Sequence, residues 1–142
     1  MYKYLPLTPK SDYISLDIAS DLHIDHWDPS YLCKNPCGAI FNNPSVKEGT
    51  SNILIMAGDV SDNLDQGITY LNKLSESYDY ILYIDGNHEH VDVYPKLYDH
   101  DYIANKINSS GNPKLIYITN QIITIGKTAI IGACGWWDYN NR

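Results

Sequence analysis

Cysteine is scarce in this chain: three residues in 142, an odd number and too few for a disulfide framework. Cys33 and Cys37 stand in "CKNPCG", but there is no second close pair to complete a four-thiolate zinc site, so both read as ordinary loop cysteines. Cys134 falls in an apolar run and reads as a core residue. Long hydrophobic runs are also missing, and no stretch is apolar for the roughly 18 residues a membrane helix needs. The N-terminus, "MYKYLPLTPK", lacks the apolar core and small-residue cleavage site of a signal peptide. The expectation is an intracellular, cytoplasmic protein with no membrane partner. Positive charge is the third shortage. A net charge of −7 argues against the broad phosphate-binding surface of a nucleic-acid protein, while leaving a small phosphorylated substrate open. Repeats and low-complexity tracts are absent.

What is present suits one globular domain over residues 1–142, with 44% hydrophobic and 19% charged residues. In "DYISLDIASD", Ile14, Leu16 and Ile18 alternate with Ser15, Asp17 and Ala19, the period of a strand. Residues 27–52 are rich in Pro, Asn, Gly and Ser and read as a long loop. "NILIMAGD" is a short continuous apolar run, as in a strand covered on both faces. Leu64, Ile68, Leu71 and Leu74 then recur at helical spacing, with Ser61 or Asp62 as the N-cap. "DYILYIDG" is a further buried strand, residues 92–108 a partly irregular helical excursion, and "KLIYIT" another strand. "QIITIGKTAIIGACGW" reads as two strands joined around Gly126-Lys127. Strand, helix, strand in succession predicts an α/β fold with a mixed, mostly parallel sheet and crossover helices.

Each of the first three strand-like runs ends in a polar cluster: "SDLHID", "AGDVSD" and "DGNHEH". In open α/β sheets, sites form beyond the carboxyl ends of the strands, and parallel strands bring those ends to one edge. Asp21, His23, Asp59, Asn87 and His88 are therefore expected to converge. Asp21 and His23 are two apart, and on an extended chain such residues point the same way. Asp59 follows Gly58, which permits a sharp turn, and its two carboxylate oxygens can bridge two cations. Asn87 offers a neutral carbonyl oxygen. Oxygen and imidazole donors without thiolate favour manganese, iron or zinc. Two such divalent ions roughly 3.5–4 Å apart form the usual clamp for in-line phosphoryl chemistry. His88 then suits a proton donor to a leaving oxygen.

Asp21-Leu22-His23, Gly58-Asp59 and Gly86-Asn87-His88-Glu89 resemble the first three signature blocks of the calcineurin-like metallophosphoesterases, D-x-H, G-D and G-N-H-D/E. The resemblance implies a sandwich of two mixed sheets flanked by helices, an αββα fold. It implies that Asp21 and His23 hold one metal, Asp59 bridges both, Asn87 holds the second, His88 is catalytic and Glu89 supports the site. A phosphate ester is then the substrate. The family's later blocks, an isolated histidine and G-H-x-H, are missing. His100, in "LYDHDY", is the last histidine and reads as a surface residue on a helix. The expectation is thus the N-terminal half of such a domain, completed by a missing C-terminal half or a complementing chain. An alternative is a non-catalytic interaction module or degenerate remnant on the same scaffold. With few strand candidates left for a second sheet, an uncovered apolar face near Trp136 and Trp137 is expected. Asp85 departs from the family, which often has proline or an uncharged residue there, and a carboxylate close to His88 would raise its pKa. His26 and His90 match no family ligand and are expected to face solvent.

Overall fold

The computed structural model describes residues 3–30, 48–90 and 99–135. They form strands β1 (Lys3–Leu7), β2 (Ile14–Ala19), β3 (Ser51–Ala57), β4 (Tyr80–Ile84), β5 (Leu115–Tyr117), β6 (Gln121–Ile125) and β7 (Thr128–Gly132). Two α-helices accompany them, α1 (Leu64–Leu74) and α2 (His100–Ser109), with short 3-10 turns at Ile24–His26 and His88–His90. The expected Cys33, Cys37, Trp136 and Trp137 positions lie outside the described residues, as does most of the long loop and the start of the 92–108 excursion.

The larger sheet has the order β2-β3-β4-β5 and is parallel throughout. Its crossovers run through α1, between β3 and β4, and α2, between β4 and β5. Both helices stand where apolar residues fall on one stripe. Leu64, Ile68, Leu71 and Leu74 of α1 are buried, as are Ile103 and Ile107 of α2. They pack with Leu54, Met56, Ile81 and Tyr83 of the sheet into one core. Full burial of each such side chain is worth about 1.5–3 kcal/mol. The cap of α1 is Asn63, whose side chain accepts from Gln66 N at 2.8 Å, and not Ser61 or Asp62. The Asp62 carboxylate is engaged instead by His88.

A second sheet exists, with order β1-β6-β7, although the sequence offered few strands for it. β1 pairs parallel with β6, and β6 pairs antiparallel with β7. β1, "KYLPL", carries a proline and is not among the strands expected from the sequence. Here that proline is accommodated because β1 is an edge strand. Ile53 and Leu82 of the large sheet meet Ile118, Ile123 and Ile125 in a core between the sheets. The described layers are therefore helix, sheet, sheet.

β2 alternates with the expected period, but its faces are not buried as that pattern suggests. Asp17 is buried and accepts a hydrogen bond from Tyr78 Oη at 2.6 Å. Leu16 and Ile18, its apolar neighbours, are 41% and 64% exposed. They pair in register with Ile53 and Ile55, on the face turned toward the second sheet. Among the described residues, that sheet leaves the two β2 side chains open. We expect Leu16→Thr together with Ile18→Thr to reduce dye binding and self-association of the purified chain. Its unfolding free energy should move by no more than about 0.5 kcal/mol for each exposed site. A loss of several kcal/mol in a denaturant titration would show these residues to be covered.

Candidate metal centre

The site is assembled at the carboxyl ends of β2, β3 and β4, which lie side by side in parallel register. The loop after β2 continues along the loop after β3. Asp21 N donates to Gly58 O at 3.1 Å, His23 N to Asp59 O at 3.1 Å and Ile24 N to Val60 O at 2.9 Å. The loop after β4 is tied to the same segment through Glu89, which is 1% exposed. Its carboxylate accepts from Asp59 N at 3.0 Å, Val60 N at 2.7 Å and Gly86 N at 2.7 Å. The buried Tyr83 hydroxyl faces that carboxylate, and burial first, then Glu89, push its pKa well above the usual tyrosine value.

These ties hold the loops in unusual conformations. Asp21, His23 and Asp59 have φ of 54°, 45° and 55°, in the left-handed region that costs a non-glycine residue roughly 1–3 kcal/mol. Asp21 and His23 therefore do not share a face through extended backbone, as expected; the strand has already ended at Ala19. Gly58 and Gly86 are pressed together. A Cβ on Gly58 would lie 2.7 Å from Gly86 N, and one on Gly86 would lie 2.2 Å from Asp59 Oδ1.

Within this frame, one donor atom each from His23, Asp59 and His88 lies within 4.8 Å of the others, and all three are half-buried. The His23 and His88 rings meet edge to face, with centroids 4.5 Å apart. Asp59 Oδ1 also accepts from His88 N at 3.0 Å. These residues can hold a metal ion. Asp21 lies outside that mutually close set, although its backbone is bonded beside it. Asn87 is half-buried on the same turn as His88, and its backbone oxygen accepts from His90 N at 3.2 Å. The sequence reading passed over Asp62 as a site residue. Its carboxylate is hydrogen-bonded to His88 Nδ1, leaving the other ring nitrogen for a ligand or substrate. Its only sequence signal is the second acidic position in "GDVSD". The Asp62 bond comes first among the causes that hold His88 above the ordinary histidine pKa, with burial opposing it and Asp59 adding to it.

Two expectations are corrected. His90 does not face solvent: it is 3% exposed, with Nε2 at 2.6 Å from Asp85 Oδ2. His100 is not a plain surface residue, since its Nδ1 lies 3.0 Å from the same oxygen. Asp85 faces His90 and His100. It is 2% exposed and bonded to His90, Tyr117 and Thr119. Burial raises its pKa, but those hydrogen bonds outweigh the burial and hold it well below the usual carboxylate range. The turn His88–His90 carries His88 toward the site and His90 inward, because Asp85 is buried and needs donors there. His26 is exposed, as expected, beside Asp25 at 3.3 Å.

No protein-family model matches the chain. A curated protein similar to it, the uncharacterized protein L509 of Acanthamoeba polyphaga mimivirus, is 26% identical over 126 residues, covering 85% of this chain and 44% of that protein. Among solved structures, phosphopantetheinyl hydrolase (PptH) from Mycobacterium tuberculosis is similar in fold at a TM-score of 0.51 and 21% identity, covering 74% of this chain and 35% of its own. The chain thus spans less than half the length of either protein. The α/β architecture expected from the sequence, with a parallel sheet and crossover helices, is the one the chain adopts, and its fold is like that of this solved structure. No helix among the described residues is long and apolar enough to cross a membrane.

Two outcomes follow from this geometry. Glu89→Gln keeps the shape of the side chain but turns an amide NH2 toward backbone donors. It should cost about 2–3 kcal/mol in denaturant unfolding, and an unchanged midpoint would show that the three bonds are dispensable. Asp62→Asn should lower the His88 pKa toward about 6.5 in a metal-free NMR titration. The sign is that of a raised group: the pair's contribution is full below the ordinary histidine pKa and is lost as pH rises through the elevated one. The stability gap between the two proteins should therefore narrow toward alkaline pH. Because both side chains are partly exposed, solvent screens the pair and the gap is small.

Proposed function

We propose that this chain carries part of the active site of a metal-dependent phosphoesterase, one that hydrolyses a phosphomonoester or phosphodiester at a dinuclear centre. The observation that carries the reading is the convergence of His23, Asp59 and His88 at the carboxyl edge of a parallel sheet. The likeness in fold to a phosphopantetheinyl hydrolase supports it. The donor set fits divalent ions of the manganese, iron or zinc kind, being imidazole and carboxylate without thiolate. Asp21, His23 and Asp59 would hold the first ion, and Asp59 and Asn87 the second. Such ions supply charge neutralisation on the phosphoryl oxygens. His88 protonates the leaving oxygen through the ring nitrogen not bonded to Asp62. The Asp62 bond orients that ring and favours its protonated form near neutral pH. Glu89 supports the site by fixing the backbone on which Asp59 and His88 stand.

The ligand count limits what this chain does alone. The second ion has only Asp59 and Asn87, so it binds weakly, since affinity follows the number of ligands and a preformed geometry. The two further imidazoles belong to a C-terminal half or a complementing chain. We expect negligible hydrolysis of an aryl phosphodiester by the 142 residues with added manganese. Manganese binding itself, read by calorimetry, should be detectable and lost in Asp59→Asn. A chain extended by the missing histidines should be active, and His88→Ala in it should be slower by roughly 10²–10⁴-fold. Robust turnover by the present chain, abolished by Asp59→Asn, would overturn the ligand count. An extended chain that binds manganese yet cleaves no phosphate ester would overturn the phosphoesterase reading in favour of a non-catalytic module.

A further inference from the structure

Behind the loop that bears His88 lies a second group of metal-type donors. Asp85, His90 and Cys134 each place a donor atom within 4.8 Å of the other two, with the first two buried and Cys134 half-buried. His100 stands beside them, outside that mutually close set, with its Nδ1 at 3.0 Å from Asp85 Oδ2 and 3.1 Å from Tyr117 Oη and its ring 5.2 Å from that of His90, centroid to centroid. The two imidazole nitrogens thus approach one carboxylate oxygen from two elements, His90 from the turn after β4 and His100 from the first turn of α2. The other oxygen, Oδ1, accepts from Tyr117 Oη and Thr119 Oγ1. Those two hydroxyls orient the carboxylate as outer-shell partners orient a metal ligand.

We propose that Asp85, His90, His100 and Cys134 bind a divalent ion of the zinc class, at a site separate from the His23–Asp59–His88 centre. One thiolate, two imidazoles and one carboxylate make a four-donor set of the kind that zinc takes in tetrahedral form. The thiolate separates this site from the first, where oxygen and nitrogen donors suit harder ions equally well. Ligands about 2.0–2.1 Å from a tetrahedral zinc are ~3.3 Å apart. The present nitrogen–oxygen separations of 2.6 and 3.0 Å need to open by less than an ångström, and His100 needs to shift toward the other donors, to admit it. Binding releases the thiol proton of Cys134 and any proton on the two ligating ring nitrogens to solvent, while the carboxylate is already ionised. The ion joins the end of β4, the turn bearing His88, the start of α2 and the segment after β7. Its effect is to brace the His88 turn from behind, so it is a structural site and not a catalytic one.

The test uses the chain as it stands and zinc alone. With peptide-resolved mass spectrometry of alkylated thiols, zinc should slow modification of Cys134 by at least about tenfold, as expected when a thiolate is committed to a metal. Protection should persist in Asp59→Asn, which removes a ligand of the first centre. Cobalt(II) offered to Cys33→Ser/Cys37→Ser should give a thiolate-to-metal charge-transfer band that His100→Ala weakens. An alkylation rate for Cys134 that zinc leaves unchanged, or protection that vanishes in Asp59→Asn, would overturn the proposal. In the first case the cluster is a hydrogen-bonded network only.

Discussion

The carboxylate of Glu89 is the constraint from which the candidate centre takes its shape. A buried carboxylate is costly unless its charge is met by hydrogen bonds, and here three backbone N–H groups from two loops meet it. An amide in its place offers a donor where only acceptors are wanted. Because Gly86 comes from the β4 loop and Asp59 and Val60 from the β3 loop, one side chain sets the separation of both. Asp59 and His88 inherit their mutual position from it.

That tie is also what allows strain to persist. Left-handed backbone at Asp21, His23 and Asp59 is unfavourable for each residue taken alone, and a free loop would relax. Here the loops are bonded to one another, 21 to 58, 23 to 59 and 24 to 60, so relaxing one strains its neighbour. The same closeness explains the two glycines. Gly58 and Gly86 stand where the β3 and β4 loops touch, and a side chain on Gly86 would occupy the place of Asp59 Oδ1. The two glycines of the motifs thus serve the packing of the loops as much as the turning of the chain.

The turn after β4 divides its histidines between two environments. His88 meets Asp62 and Asp59 in a half-open site, whereas His90, two residues on, lies against the buried Asp85. Asp85 can be buried because Tyr117 and Thr119 come from the following strand and loop to donate to it. Neighbouring positions in one short segment therefore belong to separate polar clusters, one opening to solvent and one enclosed.

Periodicity and punctuation made much of this legible. Continuous apolar runs in β3 and β4, the helical spacing of Leu64 to Leu74 and the polar cluster closing each strand were enough to place a parallel sheet and the edge that bears the site. These are local signals, and local sterics and burial produce them. Other features are decided between segments distant in the chain. Leu16 and Ile18 look like core and stand exposed, because what covers β2 depends on the extent of the second sheet. His90 and His100 look like surface and turn inward, because Asp85, itself unremarked by any period, is buried beside them. Asp62 looks like a helix cap and instead orients His88 across 26 residues of chain. The sequence by itself determined that the strands joined by helical crossovers run parallel and where the ends of β2, β3 and β4 lie. Only the tertiary structure decided which charges share a cluster, because that depends on which loops meet, and here a single glutamate brings them together.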